Sequence, residues 1–505
     1  MPLSDQGKPS TDFARGQPQG TPGVGRFRDT FVYSAPVVIS TIVPVLTIPI
    51  VTRILSPSEF GVWGLSNAFG LFVTGLANLG LPIGYDRNFY EADTPAKEAA
   101  LLYSVVGFVA ALILVGGLLT ATFGDQLSRW ILQTPGRSSL LLISYTAAGL
   151  SSIKVYFLTY FRNHGQAKNY IRYNIDETIL AAVASIILLA VFRLGVEGYA
   201  LGYLISTASV TAVLVVGFAR RMRPTFDRRV LVGTLKLSLP LAPRVLLGGL
   251  GAQFDKYLLG LLGSPAAVGV YTLGQRVGQL GSNYMGALQN VYLPQVYRHM
   301  FSGPAEGRTI SEYLLPFFYF SVAISLATVL FAEEAIRLLA PRAYGHAATV
   351  AVLFALYAAS TFFGRQPQLQ FGKRTGVVGI LSFLSFVLTV VMVILGAKRW
   401  GAVGAAAGVL SSSVILASAG LALGQRVYRI DYEWRKYGGL FLFLAASATL
   451  LELVRWAAWP YSSRFALKLV LLLMFFGIGM RWKILSRERV VSLMSRSTPA
   501  RTEGA

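Results

Sequence analysis

The sequence predicts an all-α polytopic membrane protein of about fourteen transmembrane helices, two repeated six-helix lobes followed by two extra C-terminal helices. Three observations carry that prediction. Of the 505 residues, 54% are apolar and only 13% charged, with a mean hydropathy of +0.56; a soluble chain carries about a quarter charged residues. Apolar stretches of roughly 18 to 25 residues recur along nearly the whole chain, each long enough to cross about 30 Å of hydrocarbon as a helix. The short alternating strands of a membrane β-barrel do not appear. Finally, one segment is written twice, about 208 residues apart.

The repeat can be followed residue by residue. Ser56-Pro57, Gly61-Val62-Trp63 and Leu65 return as Ser264-Pro265, Gly269-Val270-Tyr271 and Leu273. Leu81-Pro82 and Tyr85 return as Leu293-Pro294 and Tyr297, and Arg129 as Arg337. Gly195, Gly198, Ala200, Gly202 and Ser206 return as Gly401, Gly404, Ala406, Gly408 and Ser412. The matches keep chain order, so one duplication explains them. A duplicated polytopic chain is the architecture of alternating-access transporters, whose substrate site lies between the repeats.

Taken in order, residues 1–30 are polar, rich in Gly and Pro and basic, and read as a disordered cytoplasmic tail. No cleavable signal is evident, so the first helix serves for insertion. The N-terminal lobe runs over 31–219, with spans centred near residues 42, 71, 111, 149, 183 and 208. A basic cytoplasmic linker, 220–236, holds Arg220, Arg221, Arg223, Arg228, Arg229 and Lys236. The C-terminal lobe, 237–424, has spans near 246, 278, 320, 355, 387 and 412. Two further spans fall in 425–482, and 483–505 is a second cytoplasmic tail. Prolines cluster in the first helix of each lobe (Pro36, Pro44, Pro49; Pro240, Pro243), where neighbours in a membrane can satisfy the freed carbonyls. The segment 127–132 reads as an amphipathic piece in the outer interface, anchored by Trp130.

The net charge is +22, and most of the 45 Lys and Arg fall on one side if the basic N-terminus is cytoplasmic. That is the positive-inside pattern, and an even number of spans returns both termini to the cytoplasm. The basic balance thus reflects topology and anionic headgroups, and no soluble basic domain exists for nucleic acid. There is no Cys, which excludes thiolate chemistry. Loops of at most roughly 20 residues leave no extramembrane catalytic domain, and no ATP-binding element is present.

At this point the residues resemble a known family. Thr52-Arg53-Ile54-Leu55-Ser56-Pro57, then Phe60-Gly61 and Leu79-Gly80-Leu81, are similar to the opening of polysaccharide-biosynthesis flippases. So are Leu235-Lys236-Leu237-Ser238-Leu239-Pro240, Asp255-Lys256-Tyr257 and Val268-Gly269-Val270-Tyr271. The resemblance is to the Wzx-type O-antigen and exopolysaccharide exporters of the multidrug/oligosaccharidyl-lipid/polysaccharide (MOP) superfamily and covers about residues 30 to 480. It implies two lobes in a V, opening alternately to either face of a bacterial cytoplasmic (inner) membrane. It also implies a glycan on a polyprenyl (undecaprenyl) pyrophosphate as substrate. The partners it implies are membrane lipids and the polymerase and glycosyltransferases of the same pathway. The Arg-rich signature of the peptidoglycan-precursor branch is absent near the first helix, which disfavours lipid II.

Moving a pyrophosphate and a polar glycan through hydrocarbon requires a hydrated chamber with cations for phosphate and hydroxyls or amides for sugar. Arg276 is the sharpest candidate, near mid-span where an Arg costs about 2.5–3.5 kcal/mol. Thr272, Arg276, Gln279, Asn283 and Asn290 share one helical face, and the first-lobe counterpart of Arg276 is Ala68. A phosphate-binding Arg competes with an interhelical ion pair. Arg244 shares a face with Gly248, Gly251 and Asp255, the charges about 16 Å apart, too far to pair. Asp255, beside Lys256, reads as a solvated interface pair or as the carboxylate that couples transport to H⁺ or Na⁺; no other cofactor is expected. Lys154, with Ser144 and Ser151 on its face, reads equally as a headgroup-snorkelling side chain or a substrate contact. Arg53 closes the first helix at the outer face, facing headgroups or substrate. Asn67, Thr74 and Asn78 line one face of the second span, suited to sugar hydroxyls or to neighbouring helices. Asp86-Arg87, Asp176 and Glu177 are placed at cytoplasmic helix ends, as structural pairs. His164, His299 and His346 show no metal spacing.

These residues favour a lipid-linked oligosaccharide flippase. An ion-coupled drug exporter of the same superfamily would need an apolar cavity with buried carboxylates. A membrane polymerase or glycosyltransferase would need catalytic groups on large loops.

Overall fold

The computed structural model describes residues 43–242, 251, 253–303, 306–364 and 367–484. They are helical almost throughout, and ten helices are long and apolar enough to cross a membrane. In the N-terminal lobe α1 (Val43–Ile54) leads through a tight turn into α2 (Pro57–Asn78). Then come α3 (Leu81–Phe89), α4 (Pro95–Thr122), α5 (Ser138–Asn163), α6 (Ala167–Ile186) and α7 (Gly195–Arg221). The linker forms the amphipathic helix α8 (Arg228–Ser238), N-capped by the Asp227 carboxylate. The C-terminal lobe holds α9 (Phe254–Leu262), α10 (Pro265–Gly278), α11 (Leu280–Ser302), α12 (Gly307–Leu339), α13 (Ala347–Ser360) and α14 (Thr375–Val427). Helices α15 (Trp434–Trp456) and α16 (Tyr461–Arg481) follow. Side chains such as Leu114, Leu118, Leu442, Leu473 and Met480 stand exposed on the outer faces, as lipid-facing positions require.

The duplication is visible in backbone detail. Ser56 and Ser264 each N-cap a helix whose first residue is proline, accepting the N–H of Glu59 and Ala267 respectively. Glu59 completes a capping box by accepting the Ser56 N–H at 2.9 Å. Gly195 and Gly401 both take positive φ, +59° and +55°, at the reversal between the last two spans of each lobe. In the second lobe the helix is continuous in hydrogen bonding, but Trp400 and Gly401 leave helical geometry, so α14 is two spans folded at that point. Gly202 packs on the Ser185 backbone, and its counterpart Gly408 on that of Met392 and Val393; a Cβ at either would overlap.

One hydrophobic core runs through both lobes: near the α1–α2 turn Val51, Phe60 and Trp63 join Val268, Tyr271 and Phe354, and in the C-terminal lobe it continues to Met300, Ile310 and Tyr437. Beyond the middle of the bundle a second core, around Tyr85, Phe89, Phe157, Phe161 and Phe218, belongs to the N-terminal lobe, with Val230 and Leu235 of α8 against it. Inter-lobe hydrogen bonds cluster at the turn end too. Thr52 Oγ1 donates to the Leu339 carbonyl at 2.6 Å, Tyr344 Oη to that of Leu55 at 3.0 Å, and Gln133 Nε2 to that of Gly260. At their centre α2 crosses α10 with backbones in contact. A Cβ on Gly61 would overlap the Pro265 carbonyl oxygen, and one on Gly269 the Pro57 carbonyl oxygen. These are repeat-equivalent positions, so a pseudo-twofold axis passes between them.

Helix α16 docks on the C-terminal lobe through charges. Lys468 Nζ, with 3% of its side chain exposed, donates to both Glu334 oxygens at 2.6 and 2.8 Å. Arg464 Nη1 donates to Glu333 at 2.8 and 2.9 Å. Lys468→Met leaves Glu334 without its cation, an expected loss of about 3 kcal/mol. The thermal midpoint of the detergent-solubilised protein should fall by several degrees, with α16 becoming the first segment cut by protease.

Candidate functional site

Helix α5 brings Lys154 to the inside of the N-terminal lobe, and α6 brings Glu177 to meet it; the two form an ion pair. This corrects two expectations. Lys154 does not snorkel: only 7% of its side chain is exposed. Glu177 is not at a helix end but in the body of α6, ten residues past its start at Ala167. Its second oxygen accepts the Thr207 hydroxyl at 2.9 Å, and Ser206 Oγ donates to its carbonyl at 2.7 Å, tying α6 to α7. The pair lines a cavity of about 310 Å³ enclosed by α1, α2, α5, α6 and α7, with Asn67, Ser151, Tyr199 and Tyr203 also in its wall.

Arg276 projects from α10 across the lobe boundary. Its guanidinium carbon lies 4.7 Å from the Trp63 ring centroid and 5.7 Å from that of Phe60, cation–π geometry with an aromatic pair of α2. Among the described residues no carboxylate pairs with it, and its Nη1 is buried without a hydrogen-bond partner. The competing expectation, an interhelical ion pair, is not met among the described residues. Trp63 in turn packs against Tyr199 and Tyr203, ring centroids 5.2 and 6.1 Å away. Arg276 also interacts directly with Tyr199, which is in the wall of the cavity that holds Lys154, so the two sites adjoin.

The other candidates separate from this group. Thr74 Oγ1 donates to the Gly70 carbonyl of its own helix at 2.8 Å. Asn78 bonds to Ser152 and accepts the Tyr156 hydroxyl at 2.8 Å. Asn78 thus bonds to a neighbouring helix, whereas the Thr74 hydroxyl is taken up within its own. Arg53 is exposed and donates to the Pro49 carbonyl at 3.0 Å. Gln279 stands where α10 ends and α11 begins, so the polar face read through Thr272 and Arg276 is interrupted there. Arg244, and the side chains of Asn283 and Asn290, lie outside the described residues.

Asp255 is not a solvated interface residue; it is 5% exposed. It accepts the Lys256 N–H at 2.8 Å, the Tyr271 hydroxyl and the Gln275 amide at 3.4 Å. Trp63 and Tyr271 occupy the same repeat position, one bearing a cation across the lobe boundary and the other a carboxylate within its own lobe. Asp255→Asn points an amide N–H at groups that are themselves donors. An expected cost of about 1–3 kcal/mol should appear as a lower thermal midpoint, with Asp255→Ala at least as unstable.

Residue-type reading missed Trp63, Tyr199 and Tyr203, because aromatics in apolar spans look like packing. It misplaced Glu177, although a lone acid and a lone base in neighbouring spans are a signal for pairing. Among the described residues no group of three or more acidic or His side chains could hold a metal ion.

The sequence matches the family described as "Polysaccharide biosynthesis protein" over residues 50–336. No curated protein sequence matches the chain. Among solved structures it is similar to the lipid II flippase MurJ in an inward closed conformation: TM-score 0.69, 13% identity, covering 90% of this chain and 100% of that one. It is also similar to an inward-facing multidrug resistance MATE family transporter of the MOP superfamily: TM-score 0.61, 17% identity, covering 81% and 98%. A third similar structure is a MOP superfamily transporter from Pyrococcus furiosus: TM-score 0.53, 15% identity, covering 79% and 94%. The fold is that of the MOP superfamily.

Proposed function

The chain belongs to the polysaccharide biosynthesis protein family, and from that premise we propose that it flips a polyprenyl-pyrophosphate-linked oligosaccharide across the bacterial cytoplasmic membrane. Both termini face the cytoplasm in this reading, so the closed end, with the α1–α2 turn, is the outer one. The state described is then closed at its outer end.

One observation carries the reading: Arg276, a cation with no carboxylate partner among the described residues, stacked on Trp63 beneath the outer seal. A half-buried guanidinium with one buried, unsatisfied nitrogen is costly, and a polyphosphate entering from below supplies the missing anion. Substrate binding is thereby coupled to the contact that holds the lobes together, because Arg276 and Trp63 belong to different lobes. When phosphate competes with Trp63 for the guanidinium, the outer seal weakens and the lobes can rock apart. The polyprenyl chain remains in lipid throughout. Asp255, buried in the C-terminal lobe, is the carboxylate through which H⁺ or Na⁺ would be coupled. A drug exporter of the same fold fits less well, since the group presented between the lobes is a cation.

Deletion of the gene tests the reading. Lipid-linked glycan should accumulate on the cytoplasmic leaflet while surface polysaccharide falls. Normal surface glycan with no accumulated intermediate would count against it.

A further inference from the structure

The cavity inside the N-terminal lobe differs in chemistry from the Arg276 site. We propose that it is a sugar pocket, in which the Lys154–Glu177 pair and Asn67 read adjacent hydroxyls of a glycan ring while the pyrophosphate lies under Arg276. The proposal rests on the reading that the substrate is a lipid-linked glycan.

Charge separates the two sites. Lys154 and Glu177 are the only charged side chains in the cavity wall among the described residues, and they cancel. The cavity wall is therefore neutral in itself, whereas Arg276 beside it has no carboxylate partner among the described residues. What a neutral cavity of this kind offers is donors and acceptors side by side. The ammonium has three N–H groups and Glu177 takes one; the carboxylate accepts from Lys154 and Thr207 and keeps further lone pairs. Asn67 presents both a donor and an acceptor at the same wall. A vicinal diol matches that arrangement: one hydroxyl donates to the carboxylate and its neighbour accepts from the ammonium.

Shape and position agree. The rest of the wall supplies the Tyr199 and Tyr203 rings and small residues such as Ala147, Ala148 and Ala181, an apolar surface for the C–H face of a sugar. A volume of about 310 Å³ is at the small end of ligand pockets, enough for a sugar ring but not for a long glycan. The tyrosines also touch Trp63, so a ring in the cavity and a pyrophosphate under Arg276 are neighbours, as they are in the substrate. A buried ion pair is in any case a poor stabiliser, since apolar residues of similar volume usually do as well or better. Ligand recognition gives this one a purpose.

The test uses the full chain in detergent, with Trp fluorescence quenching as the readout. The probes are citronellyl pyrophosphate and its glucosyl, galactosyl and N-acetylglucosaminyl derivatives. At least one glycosylated probe should bind wild type about tenfold more tightly than the bare pyrophosphate, the size of one charge-assisted hydrogen bond. Lys154→Gln/Glu177→Gln, which keeps neutrality and shape, should bring that ratio close to one; Arg276→Gln should weaken all probes and preserve the ratio. A double variant that preserves the ratio makes the pair purely structural and overturns the proposal. So does a wild type that binds every glycosylated probe no better than the bare one, though the pyrophosphate reading then stands. Wild type binding none of the probes would remove that reading and the sugar pocket with it.

Discussion

Gly61→Val is expected to abolish transport while leaving the protein folded, and Gly269→Val to do the same. Each added side chain would drive into a backbone carbonyl, Pro265 for one and Pro57 for the other, at the crossing of α2 and α10. Backbone cannot step aside as a flexible side-chain tip can, so the clash must be relieved by separating the lobes. Overpacking of this kind costs about 1–3 kcal/mol. Here the cost falls only on the state closed at that end, which shifts the conformational equilibrium by roughly ten- to a hundredfold toward opening. The chain has no cysteine, so a single Ser58→Cys can be labelled cleanly with a membrane-impermeant maleimide. Labelling from outside should be faster in the Gly61→Val background than with Gly61 in place. Because the two glycines act on one contact, the double variant should be little worse than either alone. Wild-type transport together with unchanged labelling would mean that this crossing does not gate the protein.

Arg276→Gln is expected to lower transport by about a hundredfold, corresponding to the loss of charge-assisted hydrogen bonds worth about 1.5–3 kcal/mol to a phosphate. Folding should survive, since the substitution removes a half-buried charge that has no carboxylate partner among the described residues. Arg276→Lys should restore only part of the activity. An ammonium keeps the charge but cannot lie flat on Trp63 or present two parallel donors. Trp63→Leu should cost about tenfold, the upper range of a desolvated cation–π contact. If Arg276→Lys equals wild type and Trp63→Leu is silent, the stack is incidental and the charge alone matters.

The sequence exposes the parts of this molecule that repeat. Gly61 and Gly269, Ser56 and Ser264, Gly195 and Gly401 are legible as pairs because the duplicated lobes impose the same backbone demand twice: a close crossing, a cap, a positive φ. Arg276 is legible because an Arg in mid-span is costly without a reason. What depends on which helices become neighbours is not legible. Glu177 could be placed inside the lobe only by knowing that α6 lies beside Lys154 of α5. Asn78 offers the same hydrogen-bonding groups to sugar or protein, and Ser152 and Tyr156 happen to face it. Asp255 next to Lys256 looks like a surface pair in one dimension; the Tyr271 hydroxyl that holds it inside the lobe comes from the next helix. The aromatic platform under Arg276 needs two lobes to exist at all.

The central claim is that a lipid-linked glycan crosses the membrane through a chamber roofed by Arg276. It is tested most directly by reconstituting the full chain into liposomes that carry polyprenyl-pyrophosphate-linked glycan on their inner leaflet, and following capture of the arriving glycan by an external lectin. Wild type should deliver glycan to the outer leaflet far faster than protein-free vesicles, with Arg276→Gln reduced nearly to the protein-free rate. Wild type that delivers no more glycan than empty vesicles, or Arg276→Gln that matches it, would contradict the account.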